Sequence, residues 1–521
     1  MFLFLAASVR AAKALSMTSP QAALAALHSV PPGNVTALIT AASEALKQGL
    51  AAAAEPLLSA ATTAAPANPQ LWQFLGLARR DLQDSAGAHT AFTRAAALIP
   101  DDPLIAHSQA RTAFEAGYPA VPLFNRARLL APTDGSVILG RAAALFAAGE
   151  GEAACDQLAH LLTSSPGWSE GHLAYARFSA QVRPGHPIDA TIRAALRQHP
   201  AAGGLWSLLF QVWIEARDYR RTLAAIEQAR AVLGREPELD RLEAVCLTEL
   251  GEAAQVQELF DQLPFPTDGE AAVWPIRNYL RLGRIDEARL LAEQDFSGRG
   301  EAALWPYRAL IWRLTGDPRW QWLESDERMI RTFDLSSELG SLDSLADVLR
   351  SLHTAKGHPL DQSVRGGTQT DGNLLARAEP EIRQLREVLL EAVRSYVDQL
   401  PPPDPAHPML LAQRESLQVA GAWSVRLTDK GFHADHVHCQ GWISSAFYVV
   451  VPPADPLVHE SGRLTFGECR DVLPDFTAFR TIEPKPGKLA LFPSILWHGT
   501  RPFDSGERMT VAYDIARPSP L

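Results

Sequence analysis

Four histidines in the last hundred residues have the spacing of a metal site. His433, His436 and His438 fall within six residues in GFHADHVHCQGW, and His498 ends the run LFPSILWH. Two histidines separated by one residue share a face of a β-strand, so a third histidine on a neighbouring strand can complete three corners of a metal site. Imidazole nitrogen binds iron, zinc, copper and nickel alike. The spacing therefore predicts a transition-metal centre.

Two ligand sets are compatible with this spacing. One set is His433 and Asp435 with His498, which gives two histidines and a carboxylate. The other is His436 and His438 with His498, which gives three histidines. The sets exclude each other, because positions 433/435 and 436/438 point to opposite faces of an extended segment. Three protein ligands on one face of an iron leave the opposite positions open for a co-substrate and O₂.

Short β-branched and aromatic runs surround these histidines and must position them. Gly, Pro and Asp separate the runs, which are ESLQVAGAWSVRL, GWISSAFYVVVPP, GRLTFGE, GKLALFPSILWHGT and RMTVAYDIARP. No helical pattern interrupts them, which is typical of an antiparallel barrel or sandwich of the jelly-roll kind. One helix is expected before them, over 379–400. In HPLDQSVRGGTQTDGN (358–373), a predicted loop, Arg365 and Gln369 are candidates to line the site entrance, since the glycines between them allow unusual dihedral angles.

The first half of the chain carries an internal repeat. The intervals between its marker prolines are 34, 32, 34 and 34 residues, for Pro66, Pro100, Pro132, Pro166 and Pro200. Thirty-four residues is the tetratricopeptide repeat length. One copy resembles the tetratricopeptide pattern at seven positions: Trp72, Leu75, Gly76, Ala88, Phe92, Ala95 and Pro100. Such helix pairs stack into a superhelix whose concave face binds peptides or protein segments.

The C-terminal stretches resemble the iron(II)/2-oxoglutarate-dependent oxygenases, and in particular bacterial oxygenases with tetratricopeptide repeats ahead of a double-stranded β-helix. The matching stretches span most of 355–517; they are HPLDQSVRGGTQT, AWSVRL, GFHADHVHCQGWISSAFYVVVP, GRLTFGE, KPGKLALFPSILWHGTRPF and GERMTVAYDI. Aligning Ser444 and Tyr448 with the strand that follows the family's His-x-His motif favours the three-histidine set.

The resemblance also assigns a co-substrate site. An Arg-x-Ser/Thr pair at the offset of Arg508 and Thr510 from His498 typically binds the distal carboxylate of 2-oxoglutarate in this superfamily. Arginine suits that role because its planar guanidinium can bond a carboxylate through two parallel hydrogen bonds. No catalytic residue is expected beyond the metal centre.

The resemblance implies an Fe(II)- and 2-oxoglutarate-dependent dioxygenase that uses O₂ to hydroxylate a C–H bond. The neighbouring repeats suggest that the substrate is a protein or peptide side chain presented by the array. Most of the superfamily has a carboxylate ligand, which the three-histidine set lacks. Two alternatives therefore stay open: a non-catalytic repeat scaffold with a degenerate metal-binding barrel, and a three-histidine, cupin-like metalloenzyme that does not use 2-oxoglutarate.

Composition excludes several other classes. The 48 Lys and Arg against 59 Asp and Glu give a net charge of −11, which does not favour nucleic-acid binding. The four cysteines form no CxxC pair, so a reducing compartment, the cytoplasm, is expected. No apolar stretch is long enough to span a membrane.

The 521 residues thus predict a multidomain chain. We expect a leader or helix over 1–35, dispensable and with Met17 as an alternative start, then an all-α tetratricopeptide-repeat solenoid over 36–316. A connector over 317–354 would lead to an α+β double-stranded β-helix (jelly-roll) domain over 355–521.

Overall fold

The computed structural model describes residues 19–234, 236–360, 362–415, 417–453 and 460–518. The part of the expected leader before residue 19, including Met17, lies outside these described residues. The described chain forms two compact units, residues 19–154 with 371–386, and residues 155–370 with 387–518. Within these ranges, every helix is too short or too polar to cross a lipid bilayer.

Helices follow one another from residue 20 to residue 324, and within each unit most neighbouring helices pack together. They are α1 Pro20–His28, α2 Val35–Lys47, α3 Ala51–Ala64, α4 Pro69–Asp81, α5 Ser85–Leu98, α6 Pro103–Glu115, α7 Val121–Leu130, α8 Gly135–Ala147, α9 Gly151–Ser164, α10 Ser169–Val182, α11 Ala190–Gln198, α12 Gly203–Glu215, α13 Tyr219–Leu233, α14 Pro237–Glu249, α15 Ala253–Phe260, α16 Gly269–Arg281, α17 Ile285–Ala292, α18 Glu301–Leu314 and α19 Arg319–Glu324. The predicted helical repeats are confirmed.

Local sequence explains both the starts and the close packing of these helices. Asn68 and Asp102 cap α4 and α6 by accepting hydrogen bonds from backbone N–H groups of the first turn, and a proline follows each cap. A Cβ at Gly76 in α4 would lie 2.7 Å from the ring of Phe92 in α5. The helices of one repeat therefore approach each other closely only because this position is glycine.

The tight turn between the two helices of a repeat places one residue in the left-handed region. These residues have φ between 57° and 81° and are Gly49, Gln83, Gly117, Gly149, Arg217, Gly251, Gly283 and Gly316. Glycine suits this conformation because it has no Cβ to clash with the following carbonyl. Gln83 and Arg217 are the two exceptions in this group.

The described residues of the C-terminal part form nine strands in two antiparallel sheets, so the predicted α+β double-sheet fold is confirmed. The strands are β1 Arg331–Asp334, β2 Val364–Gln369, β3 Val419–His433, β4 Gly441–Val450, β5 Leu464–Phe466, β6 Arg480–Ile482, β7 Lys488–Pro493, β8 His498–Thr500 and β9 Arg508–Ala516. The larger sheet has the order β1-β7-β4-β9-β3-β2 and the smaller one β6-β5-β8. Helices α20 Ser336–Leu339, α21 Asp343–Leu352 and α22 Pro380–Asp398 complete the described elements.

The last helical repeats share a hydrophobic core with the loops around β8. Residues of α16, α17 and α18 pack with Cys469, Val472 and Trp497 in one buried cluster. The indole Nε1 of Trp497 donates to the carbonyl oxygen of Pro306 at 3.2 Å, and its ring meets that of Tyr307 edge-on at 5.7 Å. Because Trp497 precedes the first residue of β8, the helices support the strand that carries His498.

Candidate metal centre

Three histidines converge where the two sheets face each other. One ring nitrogen from each of His436, His438 and His498 lies within 4.8 Å of the other two. The backbones of His436 and His498 exchange two hydrogen bonds, at 2.9 and 3.0 Å, across an isolated β-bridge. The His438 N–H donates to the carbonyl oxygen of Ser494 at 2.8 Å. Backbone pairing thus fixes the position of all three residues.

Backbone carbonyl groups define the tautomer of two of these rings. The Nδ1 of His436 lies 2.8 Å from the carbonyl oxygen of Ala434, and the Nδ1 of His498 lies 2.8 Å from that of Leu496. A carbonyl oxygen can only accept, so each Nδ1 must carry the proton. Each Nε2 then carries a lone pair, which is the form in which histidine binds a metal ion, and the Nε2 of His436 also lies 3.4 Å from the Ser363 hydroxyl.

A carboxylate orients the third ring. The Nδ1 of His438 lies 2.9 Å from an Asp514 carboxylate oxygen, to which the Ser444 hydroxyl also donates at 2.7 Å. The Ser444 Oγ lies 3.2 Å from the same Nδ1. Carboxylate–histidine pairs of this kind fix ring orientation and raise ligand basicity in metal sites.

Burial and mutual repulsion set the protonation of the cluster. Burial, and next the charge of His438, lower the pKa of His436 to about 3. Burial also holds the pKa of His498 well below its usual value, with His436 and His438 adding to the effect. Burial acts in the same direction on His438, but the negative charge of Asp514 outweighs it and raises the pKa of this ring.

The residues of the alternative ligand set lie elsewhere. The Asp435 carboxylate accepts hydrogen bonds from the backbone N–H of Arg470 at 2.9 Å and from its guanidinium at 2.6 and 2.7 Å. Both oxygens of this buried carboxylate are therefore bound to a cation. His433 lies at the edge of the cluster, with its Nδ1 3.0 Å from the Ser363 hydroxyl and its ring 6.1 Å from that of His436.

A second buried polar group lacks a partner of opposite charge. Arg508, at the start of β9, is 2% exposed and donates one hydrogen bond, from Nη1 to the Gly462 carbonyl oxygen at 2.8 Å. Its Nε and the Tyr448 hydroxyl have no hydrogen-bond partner among the described residues. The Tyr448 ring lies 5.2 Å from the guanidinium carbon, and Thr510 pairs with Tyr448 in the register of β9 and β4.

Desolvation governs the ionisation of this second group. Burial lowers the pKa of Arg508, because no described carboxylate offsets the loss of water. Burial raises the pKa of Tyr448, and the neighbouring Arg508 charge opposes that rise. The Arg508 group and the histidine cluster are connected through β9, which carries both Arg508 and Asp514, the carboxylate that contacts His438.

Sequence reasoning missed the polar residues that surround the cluster. The sequence did contain a signal for Asp514, which is the charged residue in the run VAYDIA (511–516). By strand alternation it lies on the same face of β9 as Arg508 and Thr510. Ser363 gave no signal, since it lies in a segment that reads as a polar loop. The prediction of a loop over 358–373 is wrong in its middle, because Arg365 and Gln369 both lie in β2, paired with Phe432 and Val425 of β3.

Comparison with known proteins identifies the domain. Residues 421–514 match the family model described as "Putative 2OG-Fe(II) oxygenase". No curated protein is significantly similar to the chain in sequence. Residues 421–514 thus form a 2-oxoglutarate-dependent oxygenase domain.

Solved structures resemble both parts of the chain. A Pseudomonas putida prolyl-4-hydroxylase is 16% identical, with 37% of this chain and 94% of that one covered and a TM-score of 0.26. HygX from Streptomyces hygroscopicus, solved with nickel and 2-oxoglutarate, is 14% identical, with 36% and 82% covered and a TM-score of 0.26. A tetratricopeptide repeat protein from Parabacteroides merdae is 15% identical, with 53% and 97% covered and a TM-score of 0.29.

Proposed function

We propose that this oxygenase domain is a hydroxylase in which His436, His438 and His498 hold Fe(II). Arg508, with Thr510 beside it, binds the distal carboxylate of 2-oxoglutarate. One observation carries the proposal: the domain holds both a cluster of three imidazole groups and a buried guanidinium without an ion pair to any described carboxylate, and β9 carries a residue of each group's surroundings, Asp514 and Arg508. When bound, the metal, 2-oxoglutarate and O₂ supply the oxidising chemistry that replaces a C–H bond by C–OH.

The donor set fits a divalent transition metal. Neutral imidazole is a ligand for iron as for zinc, copper and nickel, and burial keeps His436 and His498 neutral. Asp514 supplies a negative charge next to His438 without being one of the converging groups. In this account it lowers the cost of placing a dication among three neutral ligands, and it keeps the His438 ring in one orientation.

The second group fits a carboxylate. An arginine buried without a counter-ion is costly, and a ligand carboxylate would accept from its free Nε–H while neutralising its charge. The Tyr448 hydroxyl offers a further donor at the same place. Phe492 packs edge-on against His498 at 4.7 Å and helps to exclude water from the metal side.

The substrate is proposed to be a protein or peptide side chain presented by the helical repeats. The support is the shared core of α16, α17 and α18 with Cys469, Val472 and Trp497, because repeats of a kind that commonly binds peptides then pack against the segment that carries His498. We further propose a cytoplasmic location. Its support is that Cys246, Cys439 and Cys469 are thiols and not half of a disulfide, as is usual in a reducing compartment.

A three-histidine enzyme that does not use 2-oxoglutarate is the second candidate. The ligand chemistry favours it, because the Asp435 carboxylate is bound to Arg470 and not to the cluster. Buried Arg508 opposes it, since such an enzyme has no co-substrate carboxylate to neutralise this charge.

Anaerobic titration of the full chain with Fe(II) and 2-oxoglutarate tests the proposal. We expect a weak visible charge-transfer band that needs both ligands. The band should vanish in His498→Ala because the metal is lost, and in Arg508→Ala because 2-oxoglutarate is lost.

The matched control is Asp435→Asn, which removes the other candidate ligand and should keep the band. Metal binding without any 2-oxoglutarate effect would favour the second candidate. Binding of neither would leave only a repeat scaffold.

A further inference from the structure

A cavity of about 490 Å³ lies against the turn that carries His438. Cys439, which directly follows this histidine, lines it, and so does Gly441, whose N–H donates to the His438 carbonyl oxygen at 2.9 Å. The residues on either side of Ser494, whose carbonyl oxygen accepts from the His438 N–H, line the cavity as well. The cavity and the candidate metal centre therefore share a wall, the segment that holds His438 in place.

The strands place this cavity at the metal end of the large sheet. Its lining includes the first residue of β4, the last residue of β7 and Arg517, which directly follows β9, and these three strands are neighbours. Asp514, which contacts His438, lies three residues before Arg517, whereas Arg508 begins β9. The cavity thus adjoins the metal ligands and lies at the opposite end of β9 from Arg508.

Another wall of the cavity comes from the helical repeats. The first turns of α18 contribute Glu301, Ala302 and Trp305 to the lining, and the segment 405–409 contributes five residues more. This segment is attached to the sheet, because the Nε1 of Trp442 donates to the Met409 carbonyl oxygen at 2.9 Å. A ligand in the cavity would therefore contact a repeat helix and the domain that carries the metal ligands at the same time.

The buried polar side chains of the lining need no ligand. The indole N–H of Trp442 is bound to Met409, and the His407 ring uses both nitrogens: Nε2 donates to the Leu323 carbonyl oxygen at 3.2 Å, and Nδ1 accepts from the Met409 N–H at 3.0 Å. Glu301 is paired with an arginine of its own helix at 3.1 Å, and Arg517 is exposed. The buried surface left to a ligand consists of indole rings, prolines and aliphatic groups.

We propose that this cavity binds an aromatic side chain of the peptide substrate, beside the residue that reacts at the metal centre. The inference rests on the proposed hydroxylase function and specifies the substrate of that function. An aromatic ring is favoured because Trp305 and Trp442 both line the cavity and can meet it edge to face. A residue within a peptide is favoured over a free amino acid, because the buried lining offers no charged group to an ammonium or a carboxylate.

Ligand-observed NMR titration of the full, metal-free chain tests the cavity. The probe is N-acetyl-phenylalaninamide, which has the ring and the backbone of one peptide residue without terminal charges, and the reference is N-acetyl-alaninamide. We expect the phenylalanine compound to bind at least about tenfold tighter, because it buries a ring that the reference lacks. Free phenylalanine should bind more weakly than its capped form, and tighter binding of the free amino acid would overturn the peptide assignment.

Ala302→Phe fills the cavity from α18 and should abolish the preference for the phenylalanine compound. Ala303→Phe is the matched control, because this alanine is the next residue of the same helix, is also half-buried and lies outside the lining; it should keep the preference. Trp305→Leu removes one ring without filling the cavity and should lower the affinity several-fold. Melting temperatures of the three variants show that each is folded. An unchanged preference in folded Ala302→Phe would overturn the assignment to this cavity.

Bound Mn(II) tests whether the cavity adjoins the metal centre. Its unpaired electrons relax nearby protons, so the ring signals of the bound phenylalanine compound should broaden in the wild type and much less in His498→Ala. Electron paramagnetic resonance shows how much Mn(II) each protein holds, and absence of broadening in loaded wild type would overturn the placement. Since the first titration needs neither metal nor 2-oxoglutarate, failure of the charge-transfer titration would remove the proposed function without erasing a measured preference, and the reverse also holds.

Discussion

The histidine cluster and the Arg508 pocket are buried polar regions of the same domain, and they are incomplete in opposite ways. At the cluster, every Nδ1 has a partner, and the nitrogens that converge are lone-pair donors without a cation. At the pocket, the Arg508 Nε–H and the Tyr448 hydroxyl are present without an acceptor. One region offers electron pairs to a cation, and the other offers hydrogen-bond donors to an anion.

This difference distinguishes a binding site from ordinary buried polarity. The Asp435–Arg470 pair, also in this domain, satisfies its own charges and needs no ligand. A domain that holds both metal-binding imidazoles and a buried guanidinium without a described counter-ion instead fits the binding of a metal and of a molecule that carries a carboxylate. The predictions below ask whether the two regions can be disabled separately.

The largest effect is expected from His498→Ala. Removing one of three imidazoles should weaken Fe(II) binding by at least about 100-fold, because each ligand contributes roughly 3 kcal/mol to a site of this kind. Competition with a chromophoric chelator under anaerobic conditions measures the constant. Tight metal binding in this variant would show that the cluster is not the metal site.

Arg508→Met should disable the other region alone. We expect 2-oxoglutarate affinity to fall at least about 30-fold while metal affinity changes little, since the lost guanidinium no longer pairs with the carboxylate. Without 2-oxoglutarate the melting temperature should not fall, because a buried charge without a counter-ion is replaced by an apolar chain. Isothermal titration calorimetry measures the two affinities, and thermal denaturation measures the melting temperature. An equally large fall in metal affinity would contradict the separation of the two regions.

Asp514→Asn should weaken the cluster without removing a ligand. Metal affinity is expected to fall about tenfold, the usual range for a residue that orients a metal-binding histidine. The negative charge that raises the pKa of His438 would be lost, so this pKa should move down in the metal-free protein. Histidine ring NMR signals followed across a pH titration report it, and an unmoved His438 would contradict the pairing.

The smallest effect on either ligand is expected from Asp435→Asn. Metal and 2-oxoglutarate affinities should stay within about twofold of the wild type. The free energy of unfolding should instead drop by about 1–2 kcal/mol, because Arg470 loses its carboxylate but keeps partial access to water. If Asp435→Asn bound the metal much more weakly while its stability in urea stayed like that of the wild type, the two-histidine, one-carboxylate ligand set would be supported instead.

Sequence alone predicted the repeats, the antiparallel sheets and the family, because these depend on local periodicity. The proline intervals mark the early helix pairs, and the β-branched and aromatic runs mark β3, β4, β5, β7, β8 and β9. The short strands β1, β2 and β6 lie outside those runs and were not predicted. The contacts of the site depend instead on register between strands distant in the chain. Asp514 meets His438 across 76 residues, and β4 shifts register against β9 between Gly441 and Ile443 and again between Tyr448 and Val450. Residue spacing does not encode such shifts.

The central claim is that the two incomplete regions are halves of one site, so the most direct test is their coupling. Isothermal titration of 2-oxoglutarate into the full chain is performed without metal and with saturating Mn(II), which avoids oxidation. The account predicts binding at least about tenfold tighter with the metal, and an equal enhancement of metal binding by 2-oxoglutarate, as linkage requires. Equal 2-oxoglutarate affinity with and without metal would contradict it.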